Sequence, residues 1–130
     1  IVAEYDVRTP SIDTLARALS GGNQQKLIIG REMSGEPSLL IASHPTRGVD
    51  VGAQAAIWDH IKRARRAGLA ALLISADLDE LIGLSDTIAV ILRGKLVGEF
   101  DPGSVTPQAL GSAMTGASHD DATDTTGESA

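Results

Sequence analysis

The residues best placed to do chemistry lie in one short run, Leu19-Ser20-Gly21-Gly22-Asn23-Gln24-Gln25-Lys26. Ser20 is a good helix N-cap, and two glycines follow it in what would be the first turn. The first amides of a helix have no intrahelical acceptor, and together with the positive end of the macrodipole they make an anion site. Glycine has no Cβ, so a phosphate can come close to the backbone there. Ser20 can add a hydroxyl donor. A purely structural helix cap accounts for the same three residues. A second candidate pair, Ser43-His44, ends an apolar run further along. An imidazole can serve as a general base near neutrality, the role open in principle to His44, whereas Ser43 offers only a neutral hydroxyl, a poor partner for a divalent cation.

Helices and strands must position these groups. Apolar Leu27, Ile28, Ile29 and Met33 predict one face of a helix that starts at Ser20, with Gly35 as its stop and Pro37 beyond it. Leu39 to Ala42 reads as a buried parallel strand. Pro45 to Gly48 reads as a loop. Ala53, Ile57, Ile61 and Ala64 recur at helical spacing and predict a second helix over 52–67, closed by Gly68. Asp50 is a natural N-cap for it. Lys62, Arg63, Arg65 and Arg66 crowd its last turns, where positive charge suits the dipole, and read as a solvated helix end. Ala70 to Ser75 predicts another buried strand, and Leu78 to Leu84 a short helix. Thr87 to Leu92 and Lys95 to Phe100 flank Arg93-Gly94 as a β-hairpin. Thr106-Pro107 opens a last short helix running to about Met114. From Gly116 the apolar period stops, and the tail over 116–130 is expected to be disordered. Strands alternating with helices give an α/β class.

Composition excludes several functions. The net charge is −6, and no Lys or Arg follows Lys95, so an acidic tail sits on a nearly balanced body. Nucleic-acid binding relies on neutralising phosphates, and this balance speaks against it. Only Tyr5, Trp58 and Phe100 are aromatic, which leaves no stacking platform for bases. With no cysteine there is neither a disulfide nor a thiolate metal site, which fits a cytosolic chain. No apolar run is long enough to span a bilayer. A chain opening on Ile1 reads as a fragment or a processed product.

The order of these motifs resembles part of an ATP-binding cassette domain, over about Asp6 to Thr115. Leu19 to Lys26 looks like the family's signature loop. Leu39 to Thr46 stands where the Walker B strand and catalytic loop belong. Arg47-Gly48-Val49-Asp50 resembles the D-loop, and Ile74 to Glu80 occupies the place of the switch, or H-loop. The stretch Pro45 to Ala53 is similar to that of sugar and nucleoside importers, whose ATPase subunits fuse two cassettes in one chain. The resemblance implies the C-terminal part of a P-loop NTPase-like cassette, with parallel strands, helices and a trailing β-hairpin.

The resemblance also exposes departures. Ser43 stands where the family has the aspartate of the magnesium shell, His44 where it has the catalytic glutamate, and Ala76 where it has the H-loop histidine. An alanine side chain cannot donate a hydrogen bond. No Lys is followed by Ser or Thr, so the Walker A loop is not in this sequence. The resemblance therefore implies a degenerate hydrolytic site with no intact catalytic residue and no metal ligand of its own, and a fragment that is not competent alone.

In this family two cassettes pair head to tail, each signature loop closing over ATP held by the other. The resemblance then implies that Ser20, Gly21, Gly22 and Gln24 meet ATP phosphates in trans and that Asp50 lies at the interface. Mg2+ would accompany ATP in the assembled dimer. The implied partners are a second cassette (the N-terminal half of the same subunit or a homodimer mate), membrane-spanning permease subunits and, indirectly, a solute-binding protein. The implied place is the cytoplasmic face of the membrane. A non-catalytic regulatory or scaffold cassette is the alternative. A cassette ATPase acting on nucleic acid fits the acidic balance poorly.

Overall fold

The computed structural model describes residues 1–117 and divides them into two compact units, Ile1–Asp77 and the residues from Leu78 on. The tail over 116–130, expected to be disordered, lies almost wholly outside the described residues. Among those described, no helix is long and apolar enough to cross a membrane.

In the first unit a single 3-10 turn, Ala16–Ala18, leads into helix α1 over Gly21–Met33. Strand β1 spans Leu39–Ser43, helix α2 Val51–Arg66 and strand β2 Ala70–Ile74. β1 and β2 pair in parallel, with Ile41 opposite Leu72 and Ser43 opposite Ile74. Both strands stand where the apolar runs place them, and the crossover between them is the predicted helix. Ala53, Ile57 and Ile61 form the buried stripe of α2, and Ile57 is fully enclosed. Gly68 takes a left-handed backbone at φ 106° and turns the chain into β2.

Three expectations for this unit need correction. The buried residues of α1 are Gly22, Lys26, Ile29 and Gly30, while Ile28 is exposed and Leu27 and Met33 are half-buried. Two glycines share the packed face with Ile29 and Lys26, because α1 is approached closely at Gly22 and at Gly30. A Cβ on Gly22 would stand 2.8 Å from Ala53 Cβ, and one on Gly30 would stand 2.6 Å from Ile1 and 2.9 Å from Tyr5. The left-handed residue after α1 is Glu36 and not Gly35. The strands are also not buried on both faces. Leu40 and Ala42 are buried, but Leu39, Ile41, Leu72 and Ile74 on the other face are exposed, Ile41 by 62%.

The second unit contains helix α3 over Leu78–Leu84, an antiparallel hairpin of β3 (Ile88–Leu92) and β4 (Lys95–Phe100), and helix α4 over Pro107–Thr115. Arg93 and Gly94 both have positive φ, 50° and 77°, as a two-residue turn matching the strand twist requires. Thr106 caps α4 by accepting from the Ala109 amide at 3.2 Å, with Pro107 in the first turn. Fully buried Leu110 anchors α4, which packs on β3.

Candidate functional site

Ser20 is the N-cap of α1, with an extended backbone at φ −62°, ψ 156°. Its carbonyl accepts the Gln24 amide at 2.9 Å and starts the helical ladder. The amides of Gly21 and Gly22 lie in the first turn and have no intrahelical acceptor. The Ser20 hydroxyl oxygen accepts twice from Asn23, from its backbone N–H at 3.4 Å and from its side-chain Nδ2 at 2.9 Å. Asn23 Oδ1 in turn accepts the Arg8 backbone N–H at 2.8 Å.

Helix α2 begins beside this turn. Asp50 is its N-cap, and its Oδ1 accepts the Ala53 amide at 2.9 Å. That bond, above all, holds the Asp50 carboxyl below the usual carboxylate range. The absent side chain of Gly22 lets the two helix starts meet, since a Cβ there would also stand 3.4 Å from Asp50 Oδ2. The two N-termini open onto a concavity of about 280 Å³, whose wall includes Ser20, Gly22, Asn23, Lys26, Asp50 and Arg8. Ser20, Gly22 and Asp50 thus line one concavity. Gln24 Nε2 donates to the Leu19 carbonyl at 2.9 Å and so fastens the turn from within.

In the sequence Lys26 carries no functional expectation, since no Ser or Thr follows it. It is 7% exposed, and its Nζ donates to the Asp6 carbonyl at 3.0 Å and pairs with the Asp6 carboxylate at 3.2 Å. Its spacing was the available signal. Lys26 lies four residues after Gly22 and three before Ile29, on the face of α1 that faces inward, where a cation needs a partner.

Ser43, His44 and Ala76 gather elsewhere in the unit, at the C-terminal ends of β1 and β2. Ser43 pairs with Ile74, and the His44 amide extends the ladder by donating to the Ile74 carbonyl at 2.8 Å. The ends of parallel strands are where open α/β sheets place ligands. His44 has a left-handed backbone at φ 48°, a region in which His is among the favoured non-glycine residues. The donors here suit a magnesium ion poorly, because a hydroxyl and an imidazole replace carboxylates. Among the described residues no group of three or more His, Cys, Asp or Glu side chains could hold a metal ion. The α1 terminus suits a phosphate better: Ser20 and Gly22 line open space there, beside first-turn amides that the helix itself does not use.

A larger cavity of about 500 Å³ lies at the other ends of α1 and α2, lined by Tyr5, Met33, Pro37 and Leu69. Its one charged lining group is Glu36, and none of the motif residues reaches it.

No family model matches the chain. It is 51% identical over 122 residues to a guanosine import ATP-binding protein of Bacillus subtilis, covering 94% of this chain and 24% of that protein. It is 48% identical over 116 residues to a nucleoside import ATP-binding protein of Lactococcus lactis, covering 89% of this chain and 23% of the relative. With a glucose import ATP-binding protein of Haloferax volcanii the identity is 46% over 129 residues, 98% of this chain and 23% of the relative. The chain therefore spans about a quarter of the length of the curated relatives it matches. Among solved structures, it superposes with a TM-score of 0.68 on an ATP-binding cassette in a dimeric post-hydrolysis state bound to ADP and Pi, at 20% identity over 78% of this chain and 44% of that one. An ATP-binding cassette of an ABC transporter in its ADP conformation gives 0.60, at 23% identity over 77% of this chain and 38% of that one. At such identities these two likenesses establish the α/β cassette fold alone.

Proposed function

Since this chain belongs to the ATP-binding cassette family of transporter ATPases, as part of the cassette found in nucleoside and sugar import ATP-binding proteins, we propose that it completes the ATP site of a partner cassette in such an importer. Ser20, Gly21 and Gly22 bind the phosphates of ATP held by the partner. Gln24 holds the shape of that turn. Asp50 lies at the interface between the two cassettes and caps α2 while it does so. Ser43, His44 and Ala76 face the ATP held by this chain's own cassette, where nothing supplies the magnesium ligand or the base. The pair is then asymmetric, with one hydrolytic site and one that binds ATP without cleaving it. The partner is a second cassette, within the same subunit or in a mate. Permease subunits carry the solute, a simple sugar or a nucleoside, and a solute-binding protein delivers it. The assembly works at the cytoplasmic face of the membrane with ATP and Mg2+.

The observation that carries this reading is the helix start at Ser20–Gly22, where Ser20 and Gly22 line a concavity shared with Asp50. The test is ATP hydrolysis by a partner cassette with its own Walker A loop, alone and mixed with this chain. We expect the chain to raise the partner's rate and Ser20→Arg to abolish the gain. A mixture no faster than the partner alone overturns the reading. The neutral set Ser43, His44 and Ala76 favours a second reading, a scaffold cassette that pairs without supporting turnover. Under it, ATP drives association with no gain in rate.

A further inference from the structure

A hydroxyl group has one proton to donate and two lone pairs to accept with. Both acceptor positions of Ser20 Oγ are occupied by Asn23, through its backbone N–H at 3.4 Å and its Nδ2 at 2.9 Å. The Ser20 proton has no acceptor among the described residues, which leaves it available to a ligand in the concavity that Ser20 lines. The direction of the Asn23 amide is itself fixed. Its Oδ1 accepts the Arg8 backbone N–H at 2.8 Å, and an N–H can only be met by the oxygen end of the amide. Arg8 is held in turn two residues upstream. Nearly buried Lys26 clamps both the carbonyl and the carboxylate of Asp6, whose backbone is left-handed at φ 48°.

We propose that Lys26 and Asn23 are positioning residues that set the Ser20 hydroxyl as a proton donor toward the bound anion. The chain of contacts runs from Lys26 through Asp6 and Arg8 to Asn23 and then to Ser20 Oγ. Lys26 and Asn23 act on the nucleotide through Ser20. Their polar groups are spent on the segment at 6–8 and on the serine. This inference rests on the reading that the α1 terminus meets ATP held by a partner cassette, and it adds which residues prepare that terminus.

The test is a double-mutant cycle in the assembled pair, reading KM and kcat for ATP, with amide hydrogen exchange at Gly21 and Gly22 read in parallel. Asn23→Ala is expected to raise KM at least tenfold with little change in kcat. In a Ser20→Ala background it should add less than twofold, because its route to the ligand is gone. Lys26→Met should raise KM severalfold and speed exchange at Gly21 and Gly22 about tenfold, and Lys26→Arg should restore both. Multiplying effects of Asn23→Ala and Ser20→Ala overturn the proposal, and so does a Lys26→Met chain with unchanged exchange. Asp6→Asn leaves the buried lysine in place and weakens only the clamp. It should give the same pattern in smaller measure if Lys26→Met fails to fold. A wild-type pair that shows no ATP-dependent gain counts against the proposed function, while exchange at Gly21 and Gly22 still decides whether Lys26 orders the turn.

Discussion

Two adjacent glycines open α1, and one methyl group added to each separates packing from ligand access. At Gly22 the new Cβ would stand 2.8 Å from Ala53 Cβ and 3.4 Å from Asp50 Oδ2, so the starts of α1 and α2 would have to move apart. Overpacking of that kind costs about 1–3 kcal/mol. The better helix propensity of alanine returns at most about 1 kcal/mol, leaving a net loss of roughly 1–2 kcal/mol. At Gly21 the nearest atom is the Gly48 carbonyl oxygen at 3.7 Å, an ordinary contact. Gly21→Ala should therefore hold stability or raise it by about 0.5 kcal/mol. For a domain of this size 1 kcal/mol moves Tm by about 3–5 °C. Thermal denaturation should show Gly22→Ala melting about 3–10 °C low and Gly21→Ala unchanged or slightly high. The same Gly21→Ala chain should lose most of its stimulation of a partner cassette, because in the proposed site its methyl would stand in the way of a phosphate approaching the amides. Equal destabilisation by the two substitutions would refute the packing argument. Full stimulation by Gly21→Ala would refute close phosphate approach at that residue.

Other outcomes follow from the same geometry. Ser43→Asp combined with His44→Glu should increase Mg2+-dependent phosphate release per cassette pair, and unchanged release means those positions do not limit the site. His60 stacks on Tyr5 at 4.2 Å and takes part in a contact of 2.7 Å with Arg63 through Nδ1. Burial first, and the Arg63 charge second, push its pKa below the ordinary 6.5. The unfolded chain then binds more protons, so stability falls as pH drops below about 6.5 and levels off beneath the folded value. Urea denaturation at a series of pH values should show this limb, and His60→Gln should remove it. The exposed face of Leu39, Ile41, Leu72 and Ile74 should make the chain self-associate on its own. Sedimentation should shift toward monomer in Ile41→Lys, and an unchanged distribution would place the association elsewhere.

Much of the fold was legible from local signals. The spacing of Ala53, Ile57 and Ile61 carried α2, Arg93-Gly94 carried the hairpin, and Thr106-Pro107 carried the start of α4. Those signals are short-range, and the structure realises them within a residue or so. The misread parts depend on what comes near from afar. Leu27 and Ile28 suggested the wrong face for α1, because counting apolar residues overlooks glycines that admit a neighbour. The runs Leu39–Ala42 and Ala70–Ser75 report what each strand is suited to bury, yet they carry no information about what lies over them. At the site, Ser20, Gly22 and Asp50 were recognisable as caps and close-approach residues. Asn23, Lys26 and Asp6 were not, since their partnership joins residues twenty positions apart through a backbone carbonyl that no side-chain pattern announces.

The left-handed backbone of His44 has a bearing on how that position can be engineered. Most side chains resist this conformation, and β-branched ones resist it most, while Gly, Asn, Asp and His tolerate it. A library that samples all residues there undergoes two selections at once, the first for a torsion angle and the second for chemistry. Variants lost to the first would be scored as catalytic failures. Ranking them by folded yield before turnover separates the conformational filter from the functional one.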